Sequence, residues 1–255
     1  MSRASEIKER FLAEVGIWPP AFEHLVRLDP GFAEACLELS AVPRRHGALD
    51  QKVRDFVHVA LEIAVTHMHP ERARAHIASA FSHGATVPEL VDVCELVTLL
   101  GVHAMTMAAP ILAEELAAAG QPVPAGLTAG QENLRERYVA DRGAFPPPLE
   151  SVLALHPEFI DAYRRLSVIP VRRGNLDPKT VELIIIALDA STTHLEAGGL
   201  RGHIRRALSL GVSAAEILEV LELTCEQGIH GTELGVRLVA EEHARLTSAV
   251  AEENP

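Results

Sequence analysis

Cysteine is scarce in this 255-residue chain, and what there is cannot build a disulfide framework. Cys36, Cys94 and Cys225 are odd in number and far apart, with no C-x-x-C pair, which suits a reducing compartment. Each lies in an apolar, helix-like stretch and is expected to be a small buried hydrophobe. Positive charge is short as well. Against 35 Asp and Glu stand 23 Lys and Arg, for a formal charge of −12, which excludes the dense basic field that nucleic acid or an anionic membrane surface requires. Residues Met1 to Arg10 are charged and contain no apolar core of a secretory signal. No run of about 18 uninterrupted apolar residues is seen, so the expected protein is cytoplasmic, with small molecules or other proteins as partners. Also missing are a Gly-rich phosphate loop, a nucleotide fingerprint, a G-x-S-x-G elbow and an H-E-x-x-H metal pair.

What is present is a repeat. Apolar residues at 48% and charged residues at 23% are ordinary for a globular protein with a buried core. Residues 11–116 align without a gap on residues 138–243, at an offset of 127. Pro19-Pro20 matches Pro146-Pro147, Gly47 matches Gly174 and Leu49-Asp50 matches Leu176-Asp177. Thr66-His67 matches Thr193-His194, and Gly84 matches Gly211. Between the copies lies GQPVPAGLTAG, Gly120 to Gly130, whose Pro and Gly content breaks helix. The expected organisation is a first repeat over 1–119, a linker over 120–130 and a second repeat over 131–255.

The punctuation inside each copy is helical. Pro30 and Pro157 suit a first helical turn, and the apolar-periodic runs that follow are expected to close before Pro43 and Pro170. From Asp50 an apolar stripe recurs at Val53, Phe56, Val57, Ala60, Leu61 and Ala64, a 3.6-residue period. Thr86-x-x-Glu89 and Ser213-x-x-Glu216 both read as capping boxes. A long last helix is expected around His103 and His230. No β-alternation is visible, and the expected fold class is all-α.

Of 13 histidines, only His67, His76 and His103 recur, as His194, His203 and His230. Helical spacing places His76 with Ala73, Ile77 and Ala80, and His203 with Leu200, Ile204 and Ala207, on inward faces. Leu96, Leu100, His103 and Met107 make a similar stripe. A buried imidazole needs a partner, since an unpaired polar group costs about 1–3 kcal/mol, so these six histidines are the catalytic candidates. Asp55 with Glu182, and Glu95 with Glu222, are repeated acids able to orient one. Arg45 and Arg172, and then Arg74 and Arg201, are candidates to hold a carboxylate by a bidentate fork. A metal is the less favoured reading: His67, His69 and His76 could supply nitrogens, but His69 becomes Glu196 in the second copy, so no metal is expected.

LDQKVRDFVHVALEIA, GATVPELVDVCEL and the later G-V-H, with LDPKTVELIIIALDA and GVSAAEILEVLEL in the second copy, resemble the carboxymuconolactone decarboxylase family. The resemblance covers Arg45 to Glu115 and Arg172 to Glu242. It implies two tandem helical domains and chemistry without a cofactor. The family's alkylhydroperoxidase-like branch uses a C-x-x-C pair; those positions fall near His67 and Pro70, and near His194 and Ala197, so peroxidase chemistry is not expected. The decarboxylase branch carries a histidine at the place of His76 and His203 and an arginine near Arg45 and Arg172. The implied substrate is a small carboxylated lactone or unsaturated acid from aromatic-ring catabolism. The same groups would serve a lactone hydrolase or isomerase, and a non-catalytic binding or scaffold protein is the alternative of another class. The chain is expected to assemble further, as a trimer equivalent to six units.

Overall fold

A computed structural model describes residues 2–122, 124 and 126–253. Helices α1 (Arg3–Glu14), α2 (Phe22–Leu28), α3 (Pro30–His46), α4 (Gln51–Ile63), α5 (Pro70–Ser82) and α6 (Val87–Val97) lead to a 3-10 turn, Thr98–Val102. Then come α7 (His103–Ala118), α8 (Ala129–Arg142), α9 (Leu149–Leu155), α10 (Pro157–Ser167) and α11 (Ile169–Arg173). The chain closes with α12 (Pro178–Ala190), α13 (Ala197–Ser209), α14 (Ala214–Cys225) and α15 (Gln227–Glu253). Among the described residues there is no strand, and the fold is all-α.

The offset of 127 returns in the backbone. The first and last residues of α4 and α5 map onto those of α12 and α13. Gly16, Gly47 and Gly84 take positive φ, and so do Gly143, Gly174 and Gly211. Met68 and Leu195, which have side chains and still adopt φ of 50°, are the matching pair. A left-handed conformation is uncommon outside glycine, and here it recurs at the same offset of 127. Both expected capping boxes form, at Thr86 with Glu89 and at Ser213 with Glu216.

The chain divides into compact units that differ from the sequence repeats. One unit holds the chain through Ala85 together with the stretch from Glu182 onward; the other runs from Thr86 to Val181. The reason is in the packing of the first unit, where α14 lies against α3 and α4 and α15 lies against α2. The last helices of the second repeat therefore complete a core begun by the first. That core includes Phe11, Phe22, Leu37 and Ile229, with Phe11 and Phe22 edge to face. Glu219 of α14 is fully buried and accepts from the backbone N–H of Ala48 (2.7 Å) and Leu49 (2.9 Å) and from the Arg54 guanidinium. In the second unit Leu134, Tyr138, Leu149, Val152 and Ile160 form a separate core.

Several expectations need amendment. Helix α3 runs on through Pro43 instead of closing before it. In the second copy α10 does close before Pro170, at Ser167, and Pro170 lies in its own short helix, α11. Helix α8 begins at Ala129, inside the expected linker; Val123 and Ala125 of that linker lie outside the described residues. Met107 is 64% exposed, so it does not extend an inward stripe. Cys36 is buried, but Cys94 and Cys225 are exposed. The stretch Val87–Ala118 is long and apolar enough to cross a membrane by length and composition, since residues 96–113 contain no Asp, Glu, Lys or Arg. In the structure the 3-10 turn interrupts it, and Pro110 sits inside α7.

Candidate functional site

Polar groups gather where an apolar stripe should continue. Asp55, His58 and Glu62 are all buried on α4, at i, i+3 and i+7, so they share one helix face. Helix α5 sets Arg72, His76 and Ser79 opposite, at i, i+4 and i+7. The turn between the helices passes through Met68 at positive φ, with the His69 N–H donating to the Glu62 carbonyl at 2.7 Å. It brings His67 back over the end of α4. The His69 ring Nδ1 accepts from the Arg72 N–H and caps α5. From the far end of the sequence, α15 adds His230 and Glu233 to the same unit.

The contacts form two connected groups. In the first, Asp55 Oδ1 lies 3.3 Å from His76 Nδ1, Asp55 Oδ2 accepts from Ser79 Oγ at 2.7 Å, and Gln51 donates to Oδ1 at 3.2 Å. The His76 ring stacks on His58, centroids 4.1 Å apart and 16° from parallel. Arg44 reaches His58 Nε2 at 3.5 Å and Glu226 at 3.3 Å. Burial, reinforced by the neighbouring His76 and Arg44, pushes the His58 pKa well below the usual imidazole range; burial likewise raises the Glu226 carboxyl, against the pull of Arg44. In the second group, His67 Nε2 and His230 Nδ1 are 2.7 Å apart, and Glu62 lies 3.3 Å from His67 and 3.6 Å from His230. Arg72 grips Glu233 with two nitrogens, so that its charge persists despite burial. Burial, with Arg72 and the other imidazoles, drives the His230 pKa far down.

A cavity of about 460 Å³ adjoins the first group, walled by Glu14, Arg44, Gln51, Arg54, Ser79 and His83. That is a size suited to a small organic ligand. The Arg44 Nε and His76 Nε2 atoms are buried and have no hydrogen-bond partner.

The second copy repeats the acid–imidazole contact and little else. His203 Nδ1 lies 2.7 Å from Glu182 Oε2, with Arg206 on the other carboxylate oxygen at 2.8 Å. At the places of His58, Arg72 and Arg44 stand Ile185, Gly199 and Val171. A Cβ at Gly199 would come within 2.6 Å of Asp189 Oδ2 and 2.7 Å of Glu196 Oε2. The acids crowd there, and burial with the nearby Glu196 and Glu182 charges pushes the Asp189 pKa up to about 7.

This geometry can be set beside known proteins. The sequence profile of the carboxymuconolactone decarboxylase family matches residues 157–229. A crystal structure from Burkholderia xenovorans LB400, provisionally described as a gamma-carboxymuconolactone decarboxylase subunit, aligns with a TM-score of 0.90. The two are 37% identical over 95% of this chain and 98% of that one. The chain belongs to the carboxymuconolactone decarboxylase family. No curated protein sequence matches it.

Within that family frame, the first unit brings together His67, His76 and His230 of the sequence candidates. His203 sits with its own acid in the same unit, at a half-buried position, and His194 follows Thr193 in the turn before α13. His103 heads α7 in the other unit and is half-buried. The arginine candidates do not join the cluster. Arg45 is exposed and paired with Glu14 and Glu38, Arg172 is exposed and paired with Asp141, and Arg74 and Arg201 are exposed. Of the repeated acids, Asp55 and Glu182 do hold histidines, while Glu95 pairs with Arg173.

Sequence reasoning passed over Arg44, His58, Glu62, Arg72, Glu226 and Glu233. All six differ between the copies, so requiring a residue to be retained in both copies removes them. The signal that could have found two of them is a titratable residue on the buried helical face of Asp55, at His58 and Glu62.

Proposed function

We propose that the chain is a carboxymuconolactone decarboxylase-like lyase acting on a small carboxylated lactone or unsaturated acid of the kind produced in aromatic-ring catabolism. The observation that carries this reading is the carboxylate–imidazole pair made in both copies, Asp55 with His76 and Glu182 with His203. A neighbouring carboxylate fixes the tautomer, so Nδ1 carries the proton toward the acid and Nε2 presents a lone pair. In the first copy that Nε2 is buried without a partner, as is the Arg44 Nε beside the cavity.

Decarboxylation breaks the carbon–carbon bond to the carboxylate, moves that electron pair into the conjugated carbonyl, and returns a proton to carbon as CO₂ leaves. In this reading Arg44 binds the carboxylate as a fork, and His76, positioned by Asp55, takes a proton from water at Nε2 and passes it to carbon. An imidazole at that position would also serve as base for hydrolysis or isomerisation of a lactone.

The test is incubation of the purified chain with muconolactones and ring-cleavage products, following ultraviolet loss and CO₂ release. Loss of absorbance with CO₂ supports the lyase. Loss without CO₂ replaces it with hydrolysis or isomerisation, and no change in any compound returns the chain to a binding role.

A further inference from the structure

We propose that Glu62, His67 and His230 form the site of one divalent transition-metal ion, of the zinc or ferrous type, within the first compact unit. None of these residues is Asp55, His76 or Arg44, so the inference goes beyond the proton-transfer reading and stands on other atoms.

The donor set comes first. One ligand atom from each residue lies within 4.8 Å of the others, which a single ion can draw together with small side-chain adjustments. Two imidazoles with one carboxylate are the ligands that borderline divalent ions take, in sites that keep a position open.

Unmet valence is the second, independent observation. Both carboxylate oxygens of Glu62 and the Nε2 atom of His230 are buried and without a hydrogen-bond partner. Glu62 is 1% exposed and His230 4%. A buried carboxylate needs a compensating charge or donors. Imidazole ligates a metal in its neutral form. Arg72 is the nearby fixed cation, and Glu233 neutralises it through two contacts, leaving the charge of Glu62 for an ion. The 2.7 Å hydrogen bond between His67 Nε2 and His230 Nδ1 is the metal-free arrangement, and ligation through His67 Nε2 and His230 Nε2 would break it. His67 is half-buried at the turn, which gives an entry path.

The argument against a metal from sequence was the change of His69 to Glu196. His69 is accounted for without an ion, since its ring caps α5, and the carboxylate and the distant His230 take its place as ligands.

The experiment uses the full chain stripped with a chelator and titrated with Co²⁺ and Zn²⁺, read by calorimetry and by the visible ligand-field bands of cobalt. One ion per chain is expected, with Glu62→Gln and His230→Gln each weakening uptake by more than about tenfold and His203→Gln leaving it unchanged. Should either buried variant fail to fold by circular dichroism, His67→Asn on the half-buried turn carries the same expectation. No uptake by the unaltered chain overturns the site. Undiminished uptake in a folded ligand variant overturns it equally. Turnover is not read, so failure of the lyase reaction and failure of this site are separate results.

Discussion

Asp55 and His76, 21 positions apart and both buried, meet across α4 and α5 with Oδ1 3.3 Å from Nδ1. Around this pair stand Arg44, His58 and a cavity, whereas the His203 pair has Ile185 and Val171 at the corresponding places. Activity is therefore expected to reside mainly in the first copy. His76→Gln should lower the turnover rate by about 10²–10⁴-fold, and His203→Gln should retain most of it. Asp55→Asn keeps the imidazole but offers the wrong partner, so it should lower the rate and displace the pH–rate profile. Steady-state rates on the singles and the double variant decide; full activity in the double variant would make both histidines structural.

The fold was readable because helix punctuation is local. Capping boxes, Pro at first turns and Gly at positive φ lie within a few residues of what they control, so the local sequence marks α4, α5 and α6. The site was only half readable. His67 and His76 sit beside their turn and stripe, but Glu62 gains its neighbours from His230, 168 positions away in the numbering. No periodicity reports a contact of that range. The repeat misled as well, because it selects what two copies share, while Arg44, His58 and Arg72 mark where they differ.

Glu219 holds the loop after Gly47 by accepting from two backbone N–H groups and Arg54 with no exposure to water. Glu219→Ala leaves Arg54 and two amides without their acceptor. Removing one partner of a buried ion pair costs about 3–5 kcal/mol, so a large fall in the denaturation midpoint is expected. Chemical denaturation against the unaltered chain measures it, and a change below about 1 kcal/mol would show that the loop is held by other means.

Asp189 gives stability a pH dependence of unusual sign for a carboxylate. Its pKa in the fold is about 7, raised from 3.8 by burial and then by Glu196 and Glu182. The folded state thus binds the proton more tightly than the unfolded chain, and this group's contribution falls as pH rises from about 4 to 7. The total is at most about 4 kcal/mol, at 1.36 kcal/mol per pKa unit. Thermal unfolding between pH 5 and pH 8 should show a decline that is shallower in Asp189→Asn; identical slopes would reject the assignment.

Thiol chemistry is expected to be dispensable. Burial, with the Glu233 charge, pushes the Cys36 thiol up to about 11. The positions aligned with the three cysteines across the repeat are Tyr163, Leu221 and Thr98. A chain carrying Cys36→Ala, Cys94→Ser and Cys225→Ser should keep its turnover. Loss of activity with an unchanged circular dichroism spectrum would restore a role for sulfur.

Self-association is expected from a feature that also obeys the offset of 127. On α7, Met107, Ile111 and Leu112 are 64%, 52% and 53% exposed; on α15 their counterparts Leu234, Leu238 and Val239 are 49%, 48% and 63% exposed. Each set occupies i, i+4 and i+5, one face of its helix. Contiguous exposed apolar side chains mark interaction surfaces, and equivalent surfaces on two related helices suit a closed ring of copies. We expect three chains to assemble, giving a particle of three times the 27.5 kDa chain mass. Light scattering at micromolar concentration measures it, and Ile111→Glu or Leu238→Glu should shift the mass downward by placing a charge in the contact. A monomer mass for the unaltered chain would reject the assembly, and partition into lipid vesicles would assign the apolar face of α7 to a membrane instead.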